Sequence, residues 1–481
     1  MFEDFLKEAI DYALSIGASY AEARYQKDSV ESVMLKNGVP EISASSIHKG
    51  IAVRVLVGNS LGFASTSTLT KASVRKIIED AIAMSRAASK IIVKGESLGE
   101  GRICRGSVNI KPRVKWSTID TEDKIEYLRD IDRSILEASD KIGVKLPSRI
   151  LTFEKWELEK HVVNSDGADV VHIVPRTMAS YILTLYHPQK GTLQRIQELG
   201  ESRGWEAVEK WNLVETLRDE VENLCNILLN GVEPPKDVVD VVVGSEVVGL
   251  ICHESAGHPA EADRVLGREA AQAGETYVKP NMIGERIGSE IVTVVDDPRI
   301  PGSFGYYLYD EEGVEARERV LIGNGVINEL LHNRETAKVF NVESNGSARA
   351  SQYDREPIIR MANTFMKPGD YTFHELLEDI SLGVYIKSNQ EWNIDDKRWN
   401  QRYVGVEAYK IVDGEIREPV RNPVLEITTR DFYSSIDAIG RKLFFKAGYC
   451  GKSEPMQAIP VWFGGPDIRL RKVRISARPT Q

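Results

Sequence analysis

Two consecutive prolines, Pro234 and Pro235, constrain the architecture of this chain more than any other feature. Proline has no N–H donor and its ring clashes in a helix interior, so neither a helix nor a central strand continues across the pair. A chain of 481 residues is also longer than one hydrophobic core usually supports. We therefore predict two domains, residues 1–233 and residues 234–481.

The first domain combines helical and strand periodicities. Apolar residues at helical spacing predict helices at residues 2–15, 71–88, 121–139 and 204–229. Alternating apolar and polar residues predict a hairpin that turns at Gly58-Asn59-Ser60. Further short strands are predicted at residues 148–153, 160–164, 170–175 and 177–185. Together these elements indicate an α/β-layered domain.

Strand signals dominate the second domain. The apolar run VVDVVVG predicts a buried strand, and Ser245 is predicted to cap the helix that follows. The turns at Gly323-Asn324-Gly325 and Asp413-Gly414 predict hairpins. Two further helices are expected at residues 372–379 and 431–439. The predicted class is α+β, with a β-rich C-terminal domain.

Composition and charge exclude several classes of function. The formal net charge of −10 gives the chain no footprint for nucleic-acid phosphates. No apolar run is long enough to span a membrane, and the acidic amphipathic N-terminal segment lacks the features of a signal peptide. Four cysteines are too few for a disulfide framework in a chain of this size. We expect a cytoplasmic protein that binds neither nucleic acid nor membranes.

The segment ICHESAGHPAEAD in the C-terminal domain holds two histidines, His253 and His258, five positions apart. On a regular α-helix, residues five apart differ by about 140° around the axis, so these side chains would diverge. A single π-type turn brings positions i and i+5 onto one face. Gly257 permits irregular dihedrals, and Pro259 cannot donate the regular bond to Ser255. The sequence therefore predicts a loosened turn if both histidines bind one metal ion.

Such a metal site would place Glu254 beside a ligand, where a carboxylate can take a proton from a metal-activated water. Catalytic zinc sites usually have three protein ligands and one open position. The residues alone leave the third ligand open, and the candidates are Glu261, Asp263, Cys252 and Cys450. Cys450 is favoured by the glycines of GYCGK, whereas Cys252 beside His253 is better explained as core packing. Two unrelated surface histidines remain the alternative.

At this point the sequence resembles the TldD/PmbA family, sometimes described as modulators of DNA gyrase. The HExxxH…E-x-D pattern carries the resemblance, together with GASYAEAR, RGWEAVEKW, DDPRIPGSFGYYLYDEEG, LHNRETA, RMANTFMKPGD and YCGK in the same order. The matches extend over nearly the whole chain. The HExxxH motif is typical of the TldD-like branch, and the partner branch, PmbA or TldE, lacks it.

The resemblance implies a zinc metallopeptidase that degrades unfolded peptides. It implies one Zn²⁺ per chain, bound by His253, His258 and Cys450, with Glu254 as the general base. It also implies a TldE/PmbA-like partner subunit or a homodimer, and an extended peptide held by backbone pairing inside a closed cavity. We expect hydrolysis by a zinc-activated water, with the proton passing through Glu254 to the leaving amine.

Four further residues are candidates for substrate binding, namely Glu261, Asp263, Arg360 and Asn363. Arginine forms bidentate contacts with carboxylates, which suits a peptide terminus. Two segments, residues 453–457 and 389–409, depart from the family pattern and are expected to affect substrate preference. The competing hypothesis is a non-catalytic, peptide-binding regulatory protein with a structural metal.

Overall fold

A computed structural model describes residues 2–91, 97–269 and 274–477. The α-helices of these residues are α1 (Phe2–Ser15), α2 (Lys71–Ala88), α3 (Thr121–Ile142), α4 (Glu206–Trp211), α5 (Leu213–Asn230), α6 (Ser245–Cys252), α7 (Ala262–Val265), α8 (Arg334–Phe340), α9 (Phe373–Leu377) and α10 (Thr429–Ser435). The N-terminal strands are β1 (Tyr20–Lys36), β2 (Val39–Val57), β3 (Ser60–Thr66), β4 (Arg105–Asn109), β5 (Lys145–Asn164), β6 (Asp169–His187) and β7 (Gly191–Glu201).

The C-terminal strands follow the two prolines. They are β8 (Val238–Val243), β9 (Val294–Asp296), β10 (Arg319–Gly323), β11 (Val326–Ile327), β12 (Ala348–Arg349), β13 (Ile358–Ile359), β14 (Asn363–Met366), β15 (Leu382–Ile394), β16 (Asn400–Val412), β17 (Glu415–Pro419), β18 (Pro423–Thr428), β19 (Ile436–Ile439), β20 (Phe444–Lys452), β21 (Gln457–Gly465) and β22 (Ile468–Ala477).

One seven-stranded sheet is built entirely from the strands that precede the prolines. Its order is β3-β2-β1-β5-β6-β4, and β7 also pairs with β6. Helices α1 and α2 bury their apolar stripes with β1 and β2 in one core. Helices α3 and α5 form a second core with β5, β6 and β7. This half is therefore an α/β-layered unit, as the sequence predicts.

The strands of this sheet are longer than the sequence predicts. The four short strands expected between residues 148 and 185 are two continuous strands, β5 and β6, of 20 and 19 residues. Strand β5 pairs along its length with both β1 and β6, which supplies partners for its backbone even through the charged stretch EKWELEK. The charges interrupt the hydrophobic signal but not the hydrogen-bonded ladder.

The single helix predicted for residues 204–229 is also incorrect in detail. Helix α4 ends at Trp211 and α5 begins at Leu213, because Asn212 between them has a left-handed backbone with φ of 45°. Asparagine adopts this conformation more readily than most residues, and it breaks the helical hydrogen-bond pattern. The apolar periodicity alone does not reveal the break.

Two larger sheets organise the C-terminal half. A six-stranded sheet has the order β11-β10-β9-β14-β21-β20. The other has the order β15-β8-β22-β18-β16-β17, and an additional pairing of β15 with β16 closes five of its strands into a ring. Helix α6 is buried between them in the largest core, which contains side chains of β8, β15, β14 and β21. The helix before the two histidines is thus fixed on several sides.

Two local predictions in this half are wrong. Gly244, not Ser245, is the N-cap of α6, and the N–H and hydroxyl of Ser245 both donate to Asp467 at 2.7 Å. The helix expected at residues 431–439 is α10 followed by β19, because Ile436–Ile439 pairs with β22. In both places a partner distant in sequence determines the local structure.

The α+β class with a β-rich C-terminal half is confirmed. The division into domains at residues 1–233 and 234–481 stays a prediction, since side chains of the two halves also contact each other. Arg54 Nη2, for example, lies 2.7 Å from Glu312 Oε1. Within the described ranges, the helices are too short or too polar to cross a membrane.

Candidate metal centre

A π-helical turn, His253–Gly257, follows α6 directly. The N–H of His258 donates to the carbonyl oxygen of His253, which is the i→i+5 bond that defines such a turn. The two imidazole rings come to lie 4.9 Å apart between centroids. The loosened turn predicted from the five-residue spacing is confirmed.

Neighbouring side chains hold this turn in place. A Cβ atom at Gly257 would lie 2.0 Å from Met361 Sδ, so any other residue requires the Met361 side chain to move. Pro259 cannot donate to the Ser255 carbonyl oxygen, and the Tyr277 hydroxyl donates to it instead at 3.0 Å. The irregular turn therefore leaves this buried acceptor satisfied.

Cys450 reaches the same place from a distant part of the chain. It lies on β20, which pairs with β21, the strand against which α6 packs. Its Sγ lies 3.4 Å from Nε2 of His258. One ligand atom each from His253, His258 and Cys450 lies within 4.8 Å of the other two, and all three residues are buried.

The chemistry of these three side chains fits a metal ion. Nδ1 of His253 is buried and has no hydrogen-bond partner among the described residues. Burial lowers the pKa of both imidazoles, which favours the neutral form that binds metals. Burial opposes ionisation of the Cys450 thiol, but His258 and Arg360 outweigh it and lower its pKa to about 7. The centre therefore offers two imidazole nitrogens and a thiol whose ionisation its neighbours favour.

Cys252, a third-ligand candidate from the sequence, lies away from this group. It is fully buried in the hydrophobic core around α6, and burial raises the pKa of its thiol to about 12. A thiol of this kind is a packing group and not a ready metal ligand.

A second layer of charged side chains surrounds His258. Glu261 Oε2 lies 3.0 Å from His258 Nδ1 and accepts a hydrogen bond from Arg264 Nε at 2.6 Å. Burial opposes the ionisation of Glu261, but Lys452 and Arg264 lower its pKa well below the usual value. Lys452 also pairs with Asp263 at 2.7 Å. An ionised Glu261 favours the His258 tautomer with the proton on Nδ1, which leaves Nε2 to face Cys450.

The other two predicted substrate-binding residues, Arg360 and Asn363, also form hydrogen bonds within the protein. Arg360 donates to the carbonyl oxygens of Cys450 and, at 2.7 Å, of Gln457. Asn363 donates to the Asp297 carbonyl oxygen at 2.6 Å and to Ser303 Oγ at 3.0 Å. Like Glu261 and Asp263, these side chains are not among the residues that line the cavity at the metal centre. Their role in substrate binding stays a prediction.

The candidate metal centre opens into a cavity of about 410 Å³. Its wall includes the three candidate ligands, Glu254, Glu198 from β7, and Asn389, Trp392 and Arg398 from the β15–β16 hairpin. A wider groove of about 840 Å³ elsewhere, near β16, β18 and β22, has no histidine or cysteine in its lining. The candidate ligands therefore line the smaller cavity and not this groove.

Three charged cavity residues, Arg398, Glu198 and Lys446, were not recognised in the sequence. Arg398 forms a buried ion pair with Glu254 Oε2, and Glu198 has a pKa raised by burial, which Lys446 partly offsets. Arg398 lies within residues 389–409, the segment that departs from the family pattern. This departure was the sequence signal that could have identified it. No local pattern marks Glu198, because its strand belongs to the N-terminal sheet.

Comparison with known families gives matches along most of the chain. PmbA/TldA metallopeptidase domain 1 matches residues 21–85, the central domain matches 115–224 and the C-terminal domain matches 236–477. A metalloprotease of Methanocaldococcus jannaschii is 31% identical over 462 residues, 96% of this chain and 98% of the relative. A zinc metalloprotease TldD homolog of Saccharolobus solfataricus is 26% identical over 469 residues, 97% of this chain and 98% of the relative.

Solved structures share the fold over the full length. TldE from Thermococcus kodakarensis superimposes with a TM-score of 0.74 at 17% identity, covering 99% of this chain and 100% of that one. A protein of Thermotoga maritima described as a modulator of a DNA gyrase gives a TM-score of 0.76 at 18% identity, covering 99% and 100%. At these identities the likeness establishes the architecture only.

Proposed function

The chain belongs to the PmbA/TldD family of metallopeptidases, and from this membership we propose that it is a zinc-dependent peptidase of the TldD-like branch. Its proposed substrates are unfolded or extended peptides. One zinc ion per chain is proposed to be held by His253, His258 and Cys450. The cytoplasmic location expected from the sequence is part of the same proposal.

One observation carries the proposal. Three potential ligand atoms lie within 4.8 Å of one another, and Glu254 lines the same cavity. Two imidazoles and a thiolate are a donor set that suits zinc, and three protein ligands leave a position open for catalysis. The name of the Saccharolobus solfataricus relative supports the same metal. A purely structural zinc site usually has four protein ligands and needs no adjacent carboxylate.

Glu254 is the residue proposed to move protons. When bound, zinc supplies a water of lowered pKa and polarises a carbonyl group. The Glu254 carboxylate accepts a proton from the attacking water as the new bond to the peptide carbonyl carbon forms. It then delivers this proton to the amide nitrogen as the carbon–nitrogen bond breaks. Glu254 is only 5% exposed, so the proton is exchanged in a site from which most water is excluded.

An extended peptide fits the surroundings of this site. Within the described part of the chain, β20 is the last strand of the six-stranded sheet, and its residues Gly448, Tyr449, Cys450 and Gly451 line the cavity. A strand at a sheet edge can pair with the backbone of an extended segment, which recognises peptides with little regard to side chains. We propose that the substrate lies along β20.

The proposed assembly includes a TldE/PmbA-like subunit, or else a second copy of this chain. The structural likeness to TldE from Thermococcus kodakarensis supports a partner of the same architecture. The comparisons do not favour the alternative, a non-catalytic regulatory protein with a structural metal.

Metal analysis combined with peptide digestion tests the proposal. The purified protein, alone and with a TldE-like subunit, is expected to contain about one zinc per chain and to cleave an unfolded peptide. Chelation should abolish cleavage and added zinc should restore it. Zinc retention without cleavage in either assembly would favour the regulatory alternative, and absence of bound zinc would contradict the proposed centre.

A further inference from the structure

Arg398 contacts Glu254 directly at the wall of the cavity. Its Nη1 forms an ion pair with Glu254 Oε2, and the two residues are 7% and 5% exposed. Arg398 lies in the turn that joins β15 to β16, far from the metal-site helix in sequence. Both side chains also line the cavity that contains the candidate ligands. A cation is thus held next to the proposed base, inside the reaction site.

The turn that presents Arg398 is closely fixed. Arg398 has φ of 62°, a left-handed conformation that costs energy for a residue with a long side chain. The Arg398 N–H donates to the Asp395 carbonyl oxygen at 2.9 Å, and the Thr429 hydroxyl donates to the Arg398 carbonyl oxygen at 2.7 Å. Asp395 Oδ1 accepts from the Trp399 N–H at 2.7 Å. These contacts maintain a strained backbone at one position.

The same turn is connected to the π-helical turn. The Trp399 and Tyr277 rings lie 5.2 Å apart between centroids in an edge-to-face arrangement. The Tyr277 hydroxyl donates to Ser255, the residue after Glu254, at 3.0 Å. The position of the Arg398 guanidinium relative to Glu254 is therefore set by packing on both sides, which is the preorganisation that electrostatic catalysis requires.

We propose that Arg398 is a further catalytic residue, whose guanidinium stabilises the negative charge that develops on the substrate carbonyl oxygen. This inference rests on the proposed peptidase function. In the attack step, one water O–H bond breaks and its proton moves to Glu254. The water oxygen forms a bond to the carbonyl carbon, and the π electrons of the carbonyl group move onto its oxygen. The negative charge thereby leaves Glu254 and appears on the substrate.

The electrostatics of a buried cation explain why Arg398 stabilises the oxyanion. A charge held out of water is costly unless an opposite charge faces it. When Glu254 takes up the proton, the negative charge facing Nη1 of Arg398 disappears, and the new oxyanion in the same cavity replaces it. The contact between Arg398 and the oxyanion is therefore made in the transition state and not in the ground state.

Steady-state kinetics of the zinc-loaded protein, in the assembly that is active, test this role. Arg398→Gly removes the guanidinium and suits the left-handed φ, so the turn should be retained. We expect kcat to fall by about 100- to 1000-fold with little change in KM, and guanidinium ions added at millimolar concentration to restore part of kcat. Arg398→Lys keeps the charge but loses the planar donor pair, so its kcat should lie between those of wild type and Arg398→Gly. Lys397→Gln, an exposed neighbour in the same turn with the same loss of charge, is the matched control and should match wild type.

Binding of a phosphinic peptide, which carries a tetrahedral anionic group, gives a second readout. By calorimetry, Arg398→Gly and Arg398→Lys should both weaken this binding relative to Lys397→Gln, and zinc content should not change. Unchanged or increased kcat in both Arg398 variants, or unchanged affinity for the phosphinic peptide, would overturn the proposal. An inactive wild-type protein would instead contradict the peptidase function itself, so the two failures are distinguishable.

Discussion

Cys450 Sγ lies 3.4 Å from Nε2 of His258, although the two residues are 192 positions apart in the sequence. The contact joins the edge strand β20 to the end of the π-helical turn. The candidate metal centre therefore exists only when the C-terminal sheets have closed around α6. A short peptide containing ICHESAGHPAEAD would carry the histidines without the thiol.

This relationship predicts that Cys450→Ala loses zinc. Removal of one of three proposed ligands leaves two imidazoles, which are too few for a stable site of this kind. Elemental analysis after dialysis against a mild chelator should find much less than one zinc per chain. Cys104→Ala, which removes a thiol outside the centre, is the control and should retain the metal. Full zinc occupancy in Cys450→Ala would exclude this residue as an essential ligand.

Glu261→Gln should weaken zinc binding without removing a ligand. The Glu261 carboxylate lies 3.0 Å from His258 Nδ1, and loss of such an outer partner typically costs about 10- to 100-fold in metal affinity. Competition with a chelator of known affinity measures the change. Asp263→Asn removes a charge that pairs with Lys452, at 2.7 Å, and should retain more zinc. A raised KM with unchanged zinc affinity would instead support the substrate-binding role predicted from the sequence.

Gly257→Ala should destabilise the fold at the π-helical turn. Its new Cβ would lie 2.0 Å from Met361 Sδ, and overpacking of a buried site commonly costs about 1 to 3 kcal/mol. Chemical denaturation measures the free energy of unfolding. In the double variant with Met361→Ala, the free energy of unfolding should fall by less than the sum of the two single-variant losses, because the smaller side chain leaves space for the new Cβ atom. Strict additivity of the two losses would show that the contact with Met361 is not the reason why position 257 requires glycine.

Stability should fall between pH 6.5 and pH 4 through His332. Burial lowers the pKa of its imidazole to about 4, whereas the unfolded chain has the usual value near 6.5. Between these values only the unfolded state binds the proton, so lowering the pH reduces the free energy of unfolding by up to about 3 kcal/mol. In His332→Asn, the free energy of unfolding should differ less between pH 7 and pH 4.5 than it does in wild type. His374→Asn, at an exposed position, should behave as wild type, and equal slopes in all three proteins would contradict the account.

Local physics was sufficient for the elements whose hydrogen bonds lie within a short segment. The predicted bounds of α1 and α2 are those observed, and the hairpin turns at residues 58–60 and 413–414 are present. The loosened turn at His253 also follows from local rules, because it depends on a five-residue spacing, a glycine and a proline.

Several errors occur where a partner distant in sequence determines the structure. Residues 436–439 form a strand because β22 lies beside them, and Ser245 donates to Asp467 rather than capping α6. The same limit explains why Arg398 was not predicted beside Glu254. A hairpin tip approaches the metal-site turn only in three dimensions, and neither segment alone indicates the other.

The most direct test of the central claim is the activity and metal content of Glu254→Gln. The variant keeps the three proposed ligands and nearly the same side-chain shape, but it cannot accept a proton. We expect about one zinc per chain, a folded protein and loss of peptide hydrolysis by several orders of magnitude relative to wild type under the same conditions. Hydrolysis at a rate near wild type, with zinc still bound, would contradict the proposed mechanism.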